Sequence, residues 1–384
     1  MDITIQPRKL RGTVAATPSK SQAHRYLICA ALGNRPITLI CPDTNQDIEA
    51  TADCLRALGA DIRRTETGYT VTPIRVVPEA ALLPCRESGS TLRFLLPIAG
   101  ALGVDATFQM EGRLPQRPLS PLWEEMERMG CTLSRPTSDT VRCRGKLRQG
   151  EYRMDGSVSS QFITGLLLAL PVVGGSSLAV TGKVESKPYI DMTNAAIRVF
   201  RDSPAHLTVE GDWSNAAFWL AAQALGSELA VTNLNPDSAQ GDKAVADLLP
   251  TLLNSHPTIS AADIPDLVPI LSVVAAANHG AVFTDIQRLR LKESDRVAST
   301  IAMLTALGGK AEAEESTLTV YGTGLLGGTV SSAGDHRIAM AAAMASTVCR
   351  EPVTLLGAQA VNKSYPLFWE EFHRLGGKYE LYLR

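Results

Sequence analysis

The sequence has little of several features that define large classes of protein. Aromatic residues make up 5% of the 384 positions, and 37 Lys and Arg against 39 Asp and Glu leave a formal net charge of −2. Such a balance excludes an overall polybasic surface for nucleic acid or membrane lipid. The N-terminal segment MDITIQPRKL has no apolar run and no cleavage site of a secretory signal. We therefore expect a cytoplasmic protein that binds neither nucleic acid nor membrane.

Patterns typical of membrane spans, disulfides and metal sites are missing as well. The uncharged stretch from Phe162 to Val180 contains Pro171, Gly174 and Gly175, which predicts a short helix, a turn and a strand. The seven cysteines are never closer than 12 positions, and no two histidines have HxxxH spacing. Buried thiols are therefore expected rather than a disulfide framework, and no metal site is expected.

What the sequence does contain is a repeat. An amphipathic helix end, a glycine and an alternating strand occur together four times, at Gly59, Gly130, Gly308 and Gly376. Glycine is favoured there because the residue after a helix often adopts a left-handed conformation. The spacings of 71 and 68 residues flank a gap of 178, which leaves room for two units that have lost the phrase. We expect an α/β (α+β) protein of two domains, each with three units of roughly 65 residues.

Four helices are predicted to begin with small polar residues, and most have a cation within the first turn. These starts lie at 18–25, 87–93, 156–161 and 334–337. Serine, glycine and aspartate are ordinary N-cap residues, so one such start by itself indicates only a helix. Lysine or arginine in a first turn opposes the helix dipole unless an anion binds there. Four starts of this kind favour a site for anionic small molecules.

A dense group of charges lies at residues 290–296, with sequence RLKESDR. If the segment is helical, Lys292 and Arg296 repel at i,i+4, whereas Glu293 and Arg296 attract at i,i+3. The segment fits an exposed, salt-bridged helix face, but a carboxylate among cations also suits proton transfer beside an anionic substrate. Asp266 before an apolar run fits an N-cap, and Lys363 fits a loop lysine; neither indicates a site alone.

The segment 322–327 matches the dinucleotide-binding pattern GxGxxG. The residues that follow are poor helix formers, and the first downstream acid, Asp335, is too near to be the acid expected about 20 residues on. A dinucleotide site is therefore not expected. The sequence also has no GxxxxGK[ST], HExxH or GxSxG, so kinase, zincin and serine-hydrolase functions have no support.

Taken in order, the motifs resemble the enolpyruvylshikimate phosphate synthase family from end to end of the chain. The segments that carry the resemblance are 18–25, 87–93, 116–118, 159–162, 186–191, 211–214, 264–266, 292–296, 335–337 and Lys363. The resemblance implies two globular domains of three βαβαββ units each, in an inside-out α/β barrel-like arrangement. We expect one domain at 1–19 and 241–384, the other at 20–240, and the active site in the cleft between them.

The resemblance also implies a reaction and its residues. The family transfers the enolpyruvyl group of phosphoenolpyruvate to the 5-hydroxyl of shikimate 3-phosphate, by addition and elimination, with no metal or organic cofactor, and we expect a monomer. The expected catalytic residues are Asp266 as base and Glu293 as acid, supported by Lys20, His336 and Lys363. The expected shikimate 3-phosphate contacts are Lys20, Ser21, Arg25, Ser159, Ser160, Gln161, Ser186, Tyr189, Asp266 and Lys292. The expected phosphoenolpyruvate contacts are Lys20, Gly89, Arg117, Gln161, Arg296, Arg337 and Lys363.

The sequence departs from the family pattern in three places. Glu87 and Arg288 each stand where relatives have Asn, and Arg288 leaves one substrate contact in question. The helix-end, glycine and strand segment is missing after Phe200 and again after Asn254, so we expect the third and fourth units to lack about one strand pair each. Two alternatives stay open: the sister enzyme that uses UDP-N-acetylglucosamine, whose usual reactive cysteine is missing from loop 111–117, and a non-catalytic relative that binds anions.

Overall fold

The computed structural model describes residues 1–202 and 204–382, which divide into two compact units. The continuous unit is Pro18–Glu210. The split unit consists of Met1–Thr17 and the described residues from Gly211 onward. Each unit has a hydrophobic core of its own.

Helices and strands alternate along the chain. The helices are α1 (Lys20–Ala31), α2 (Gln46–Ala57), α3 (Gly89–Leu102), α4 (Leu122–Arg128), α5 (Ser160–Val173), α6 (Lys187–Arg201), α7 (Trp213–Ala224), α8 (Val245–Asn254), α9 (Val268–Ala277), α10 (Arg296–Ala306), α11 (His336–Ala345) and α12 (Phe368–Arg374). The strands are β1 (Ile3–Gln6), β2 (Arg11–Ala15), β3 (Ile37–Ile40), β4 (Asp61–Thr65), β5 (Gly68–Thr72), β6 (Ala80–Arg86), β7 (Asp105–Met110), β8 (Cys131–Ser134), β9 (Thr140–Gly145), β10 (Glu151–Asp155), β11 (Ser177–Thr181), β12 (His206–Thr208), β13 (Glu228–Thr232), β14 (Thr258–Ser260), β15 (Ala281–Thr284), β16 (Lys310–Ala313), β17 (Thr317–Tyr321), β18 (Gly328–Ser331), β19 (Val353–Leu356) and β20 (Lys378–Leu381).

Four sheets share one strand order. They are β12-β3-β5-β4 and β6-β7-β9-β8 in the continuous unit, and β14-β15-β17-β16 and β18-β19-β1-β20 in the split unit. In each sheet the first two strands are parallel and the last two are antiparallel. The last two strands are a hairpin in three sheets, whereas β1 and β20 come from opposite ends of the described chain. In three of the sheets a single helix, α3, α9 or α11, connects the first two strands, as a parallel βαβ crossover requires. In the fourth sheet, β12 follows β3 only after most of the continuous unit. The repeat predicted from the sequence is therefore a structural repeat.

Two further sheets contain only the first two strands, within the part of the chain that the structure describes. They are β10-β11 in the continuous unit and β2-β13 in the split unit, both parallel. After α6 the chain enters β12 directly, and after α8 it enters β14, so the hairpin is missing at both places. These are the third and fourth units, and the prediction that each lacks a strand pair is confirmed.

The glycine of the repeated phrase has the conformation that the sequence predicts. Gly59, Gly130, Gly308 and Gly376 have φ of 103, 112, 81 and 94°. A side chain at such positive φ is strained, so the helix can turn sharply into the hairpin only where glycine is present. In all four places a helix ends just before the glycine and a strand begins just after it.

Helices α3 and α11 lie deep in the cores of their units. All ten residues of α11 are buried, as are twelve of the fourteen in α3, so these helices are surrounded on every side rather than amphipathic. Among the described residues no helix is both long enough and apolar enough to cross a membrane. All seven cysteines are buried and unpaired as disulfides, as expected.

The boundaries of the compact units differ from the expected domain boundaries. The chain leaves the split unit after Thr17 and returns at Gly211, whereas positions 20 and 241 were expected. The larger difference arises because residues 211–240 pack with the split unit. Strand β13 pairs with β2 over five residues, and α7 contributes Phe218 and Trp219 to the core of that unit.

Candidate active site

The four predicted helix starts are confirmed by their capping hydrogen bonds. Ser19, Ser88, Ser159 and Asp335 precede α1, α3, α5 and α11, and each side-chain oxygen accepts a backbone N–H from the first turn. Because each cap satisfies one backbone donor, the remaining first-turn N–H groups stay oriented outward along the helix axis. The cations Lys20, Arg93 and Arg337 lie in or next to these first turns.

In the continuous unit, several predicted contacts meet around Arg93. Its Nη1 donates to Gln161 Oε1 at 2.8 Å, and its Nη2 donates to the carbonyl of Pro118 at 3.1 Å. Gln161 Nε2 donates in turn to Ser90 Oγ at 3.0 Å. A Cβ on Gly89 would lie 2.7 Å from Arg117 Nη1, so any side chain there would displace the guanidinium. Glycine is therefore required for Arg117 to approach the start of α3.

Lys20 and Arg25 are both held by neighbouring elements of the continuous unit. Lys20 Nζ forms an ion pair with Asp47 Oδ2 at 2.9 Å, and both side chains are largely buried. Arg25 is 2% exposed, and its guanidinium donates to Thr193 Oγ1 and to the carbonyls of Ser21 and Tyr189, at 2.8, 2.6 and 2.9 Å. These contacts place the first turn of α1 against α2 on one side and α6 on the other.

The remaining predicted contacts of this unit lie at the starts of α5 and α6. Ser159 caps α5, and Ser160 is buried in its first turn. Ser186 precedes α6 with a left-handed φ of 55°, a strained value for a residue with a side chain. Tyr189 lies in the first turn of α6, where its backbone carbonyl accepts the hydrogen bond from Arg25. The sequence-predicted shikimate 3-phosphate contacts of this unit thus lie on three neighbouring helices.

In the split unit, Arg296 joins three carboxylates. Its Nη1 is 2.7 Å from Asp266 Oδ1, its Nη2 is 2.8 Å from Glu293 Oε2, and its Nε is 3.0 Å from Asp335 Oδ2. Arg296 is 1% exposed. A buried guanidinium persists only when its donors are satisfied by charged partners, as they are here. Asp266, the expected base, and Glu293, the expected acid, therefore both contact Arg296.

Asp266 is not a helix cap but part of the charged cluster. Helix α9 begins at Val268 without a side-chain cap, and Asp266 instead contacts Lys292 Nζ at 3.7 Å and Arg337 Nη2 at 3.4 Å. Burial would raise the pKa of Asp266, but the charges of Lys292, Arg337 and Arg296 outweigh burial and hold the pKa well below its usual range. The cations therefore favour the ionised form of Asp266.

The segment 292–295 is not α-helical, so Lys292 and Arg296 are not neighbours on one helix face; they meet instead at Asp266 Oδ1. A 3₁₀ helix spans Gln287–Leu291, Lys292 is extended, and α10 begins at Arg296. This geometry directs Lys292 towards Asp266 and Glu293 towards Arg296. Burial lowers the pKa of Lys292 to about 8, partly offset by Asp266, while Arg296 and Arg288 lower it further.

Lys363 and His336 complete the cluster of the split unit. Lys363 lies at the end of the 3₁₀ helix Ala358–Lys363, is 6% exposed, and has its Nζ 3.8 Å from Glu293 Oε1. It is therefore a buried lysine rather than a surface loop lysine. His336 is buried at the start of α11, with Nδ1 3.9 Å from Asp335 Oδ1. All the expected site residues of this unit are thus connected by contacts within the protein itself.

Sequence reasoning assigned no role to several residues that organise these clusters. Arg93 and Asp335 were noticed only as parts of helix starts. Asp47 pairs with Lys20 across 27 residues, which no local pattern could reveal. Asp242 is fully buried behind the split-unit cluster and accepts a short hydrogen bond from Ser214. Burial, reinforced by the charge of Asp266, raises the pKa of Asp242 to about 7.

Two negative expectations can be compared with the geometry. The GxGxxG segment leads into strand β18 and not into a helix, so the structural context of a dinucleotide fingerprint is missing there. Within residues 1–202 and 204–382, no group of three or more His, Cys, Asp and Glu side chains is arranged to hold a metal ion.

Comparison with known proteins places the chain in a family. A model of EPSP synthase (3-phosphoshikimate 1-carboxyvinyltransferase) matches residues 5–202 and 201–372. The 3-phosphoshikimate 1-carboxyvinyltransferases of Clostridium kluyveri and Clostridium beijerinckii are 37% and 38% identical to it, over 98% and 99% of this chain and 97% and 98% of theirs. The first alignment spans 415 positions, more than the 384 residues present here, as expected if relatives carry the missing hairpins.

Solved structures show the same fold. An EPSP synthase from Acinetobacter baumannii superposes with a TM-score of 0.78 at 22% identity, covering 99% of this chain and all of that one. The enolpyruvyl transferase NikO from Streptomyces tendae gives 0.74 at 17% identity, over 99% and 98% of the two chains. The matched family model and the relatives agree, and the chain belongs to the EPSP synthase family.

Proposed function

We propose that this chain transfers the enolpyruvyl group of phosphoenolpyruvate to the 5-hydroxyl of shikimate 3-phosphate, releasing phosphate. The observation that carries the proposal is the split-unit cluster, in which Asp266 and Glu293 share Arg296 beside Lys292 and Lys363. A protein that only binds anions needs the cations but has no use for two carboxylates among them. Two carboxylates at one arginine suit a reaction that moves two protons next to an anion.

In the proposed addition step, the 5-hydroxyl oxygen forms a bond to C2 of phosphoenolpyruvate. Asp266 accepts the hydroxyl proton, and Glu293 donates a proton to C3, so the methylene becomes a methyl group in a tetrahedral ketal. In the elimination step, the C2–O bond to phosphate breaks with its electron pair, and a methyl proton leaves to restore the double bond. Glu293, ionised by the first step, is the group placed to take that proton.

The ion pairs in the cluster suggest how binding prepares both acids. Phosphoenolpyruvate would contact Arg296, Arg337 and Lys363, and so compete with the carboxylates for these cations. Asp266 would then lose part of the positive charge that lowers its pKa and become a stronger base. Glu293 would lose the partners that favour its ionised form, and the incoming negative charge would favour the protonated carboxyl that an acid requires.

We assign substrate binding in the continuous unit to the clusters around Arg25 and Arg93. Lys20, Ser21, Arg25, Ser159, Ser160, Gln161, Ser186 and Tyr189 would contact shikimate 3-phosphate. Lys20, Gly89, Arg117 and Gln161 would contact phosphoenolpyruvate. Helix N-termini and serine hydroxyls are suited to phosphate oxygens, since both supply hydrogen-bond donors.

The test is phosphate release from phosphoenolpyruvate with two acceptors compared side by side. Release with shikimate 3-phosphate, and none with UDP-N-acetylglucosamine, is expected. Release only with UDP-N-acetylglucosamine would identify the sister activity instead. No release with either acceptor, while shikimate 3-phosphate still binds, would contradict the proposal and favour a non-catalytic relative.

A further inference from the structure

A set of buried polar side chains crosses the core of the continuous unit outside the contacts assigned above. His24 Nδ1 is 2.7 Å from Thr51 Oγ1, Thr51 Oγ1 is 2.7 Å from Thr91 Oγ1, and Thr91 Oγ1 is 2.7 Å from Ser88 Oγ. None of the four is more than 1% exposed. We refer to these residues as the His24 network. Polar groups so deeply buried are costly unless each is hydrogen-bonded, so the network has a defined geometry.

The His24 network connects two helix starts through a third helix. His24 lies one turn after Lys20 on α1, and Thr51 lies one turn after Asp47 on α2. The Lys20–Asp47 ion pair and the His24–Thr51 hydrogen bond are thus two parallel contacts between the same helices. Thr91 then connects α2 to α3, where it also bonds the N-cap Ser88, directly before Gly89.

The direction of the hydrogen bonds follows from their partners. Thr91 donates to Ser88, so Thr91 accepts from Thr51, and Thr51 accepts from His24 Nδ1. This assigns the proton of His24 to Nδ1 and leaves Nε2 as an acceptor, which has no hydrogen-bond partner among the described residues. The opposite tautomer would bury an unpaired N–H, which costs more than an unpaired acceptor.

His24 is neutral in this setting. Burial lowers its pKa to about 3, with Asp47 opposing and Lys20 and Arg25 adding to the effect. Its ring also contacts Phe94 of α3 edge to face, with centroids 6.2 Å apart. A neutral donor in a fixed orientation can set the spacing of two helices without adding charge next to an anion site.

Arg25, the residue after His24 on α1, contacts the helices on the other side of α1, α5 and α6. Arg25 donates to Thr193 of α6 and Thr164 of α5, at 2.8 and 3.3 Å, and these two threonines are 3.0 Å apart. Thus His24 connects α1 to α2 and α3, whereas Arg25 connects α1 to α5 and α6. Lys20, proposed to contact both substrates, and Gly89, proposed to contact phosphoenolpyruvate alone, lie beside the contacts of His24. Most of the other proposed shikimate 3-phosphate contacts lie beside those of Arg25.

We propose that His24 is a positioning residue for phosphoenolpyruvate, which sets the first turn of α1 relative to that of α3 through Thr51 and Thr91. Lys20 and Gly89 then keep the separation that one small anion requires. His24 itself does not contact the substrate. This inference rests on the proposed function, because it uses the residues assigned there to phosphoenolpyruvate.

Two threonine substitutions provide a matched test. Thr51→Val removes a buried hydroxyl beside His24, and Thr193→Val removes a buried hydroxyl beside Arg25 with the same change in shape. Loss of one hydrogen bond of this type changes binding by about tenfold. We expect Thr51→Val to raise the KM for phosphoenolpyruvate about tenfold and that for shikimate 3-phosphate less than about threefold, and Thr193→Val to do the reverse.

Substitution of His24 itself separates positioning from packing. His24→Asn retains an N–H close to the Nδ1 position and should keep the KM for phosphoenolpyruvate within about threefold of the original value, whereas His24→Leu, which only fills space, should raise it about tenfold. Equal changes in both KM values, or a lower Tm with unchanged KM, would overturn the inference. If His24→Leu does not fold, the Thr51→Val and Thr193→Val pair decides. An inactive unsubstituted protein would instead contradict the proposed function.

Discussion

The site residues of the split unit and those of the continuous unit differ in kind. In the split unit three carboxylates, Asp266, Glu293 and Asp335, are neutralised by Arg296 and its neighbours. In the continuous unit the candidate residues are mainly hydroxyls, amides and arginines that hydrogen-bond one another, and the carboxylate among them is Asp47. Under the proposed function, the split unit would transfer protons and the continuous unit would orient the substrates.

The largest predicted effect should come from the loss of Glu293, the proposed acid of the split unit. Glu293→Gln keeps the shape of the side chain but cannot donate the proton to C3. We expect kcat to fall between about a hundredfold and ten-thousandfold, because that is the usual contribution of general acid–base catalysis. Binding of shikimate 3-phosphate should change little.

The exposed Glu315, changed to Gln, is the control for the removal of one negative charge from the split unit. It should leave kcat unchanged. Parallel loss of turnover and of shikimate 3-phosphate binding in Glu293→Gln would show instead that Glu293 holds the structure together.

The pH dependence of stability should also distinguish the units. In the split unit the pKa of Asp242 is raised from 3.8 to about 7 by burial. A carboxyl whose pKa is raised by folding destabilises the fold as pH rises between its unfolded and folded values. Relative to Asp242→Asn, the original protein should lose about 3 kcal/mol of unfolding free energy from pH 4 to pH 7. Urea unfolding at several pH values measures this, and parallel curves for the two proteins would refute it.

In the continuous unit, stability should instead decrease as the pH falls, because burial lowers the pKa of His24 from 6.5 to about 3. Stability from a lowered pKa is present above the unfolded value and decreases as pH falls below it. Relative to His24→Asn, the original protein should lose about 2 kcal/mol of unfolding free energy between pH 7 and pH 5. The same urea titrations provide the measurement. A difference that grows in the alkaline direction would show that His24 is not buried in a neutral form.

The smallest of these effects should come from Arg93, which contacts no substrate in the proposal. Arg93→Lys keeps the charge but loses the paired hydrogen bonds to Gln161 and Pro118. We expect the KM for phosphoenolpyruvate to rise about tenfold with kcat within about threefold. Steady-state kinetics with each substrate varied in turn would test this. A fall in kcat without a change in KM would mean that the continuous unit also takes part in the chemistry.

Much of the fold was accessible from the sequence because the repeated phrase marks a local event. A glycine after a helix and before a strand fixes one turn of backbone, so four units with the phrase and two without it could be counted without a structure. The compact-unit boundary near 210 was not accessible in this way. It depends on the pairing of β13 with β2, a strand that lies more than 200 residues earlier in the chain.

The candidate site could be predicted in part for a similar reason. Cations at helix starts are visible in sequence, and the family resemblance supplies the residue assignments. The supporting residues Asp47, Thr51 and Asp242 act through contacts between separate elements, so no spacing rule finds them. The charge spacing of 290–296 also suggested a helix. In the structure Lys292 is extended instead, and Lys292 and Glu293 contact different partners. The cytoplasmic location, the monomeric state and the individual site roles stay predictions.

The most direct test of the central claim is turnover in D₂O, followed by NMR of the product. If Glu293 protonates C3 and a methyl hydrogen is then lost, the enolpyruvyl methylene of the product should carry deuterium. Glu293→Gln should incorporate none while still binding shikimate 3-phosphate. Incorporation by Glu293→Gln at the rate of the original protein would contradict the account, because proton transfer would then not depend on the split-unit acid.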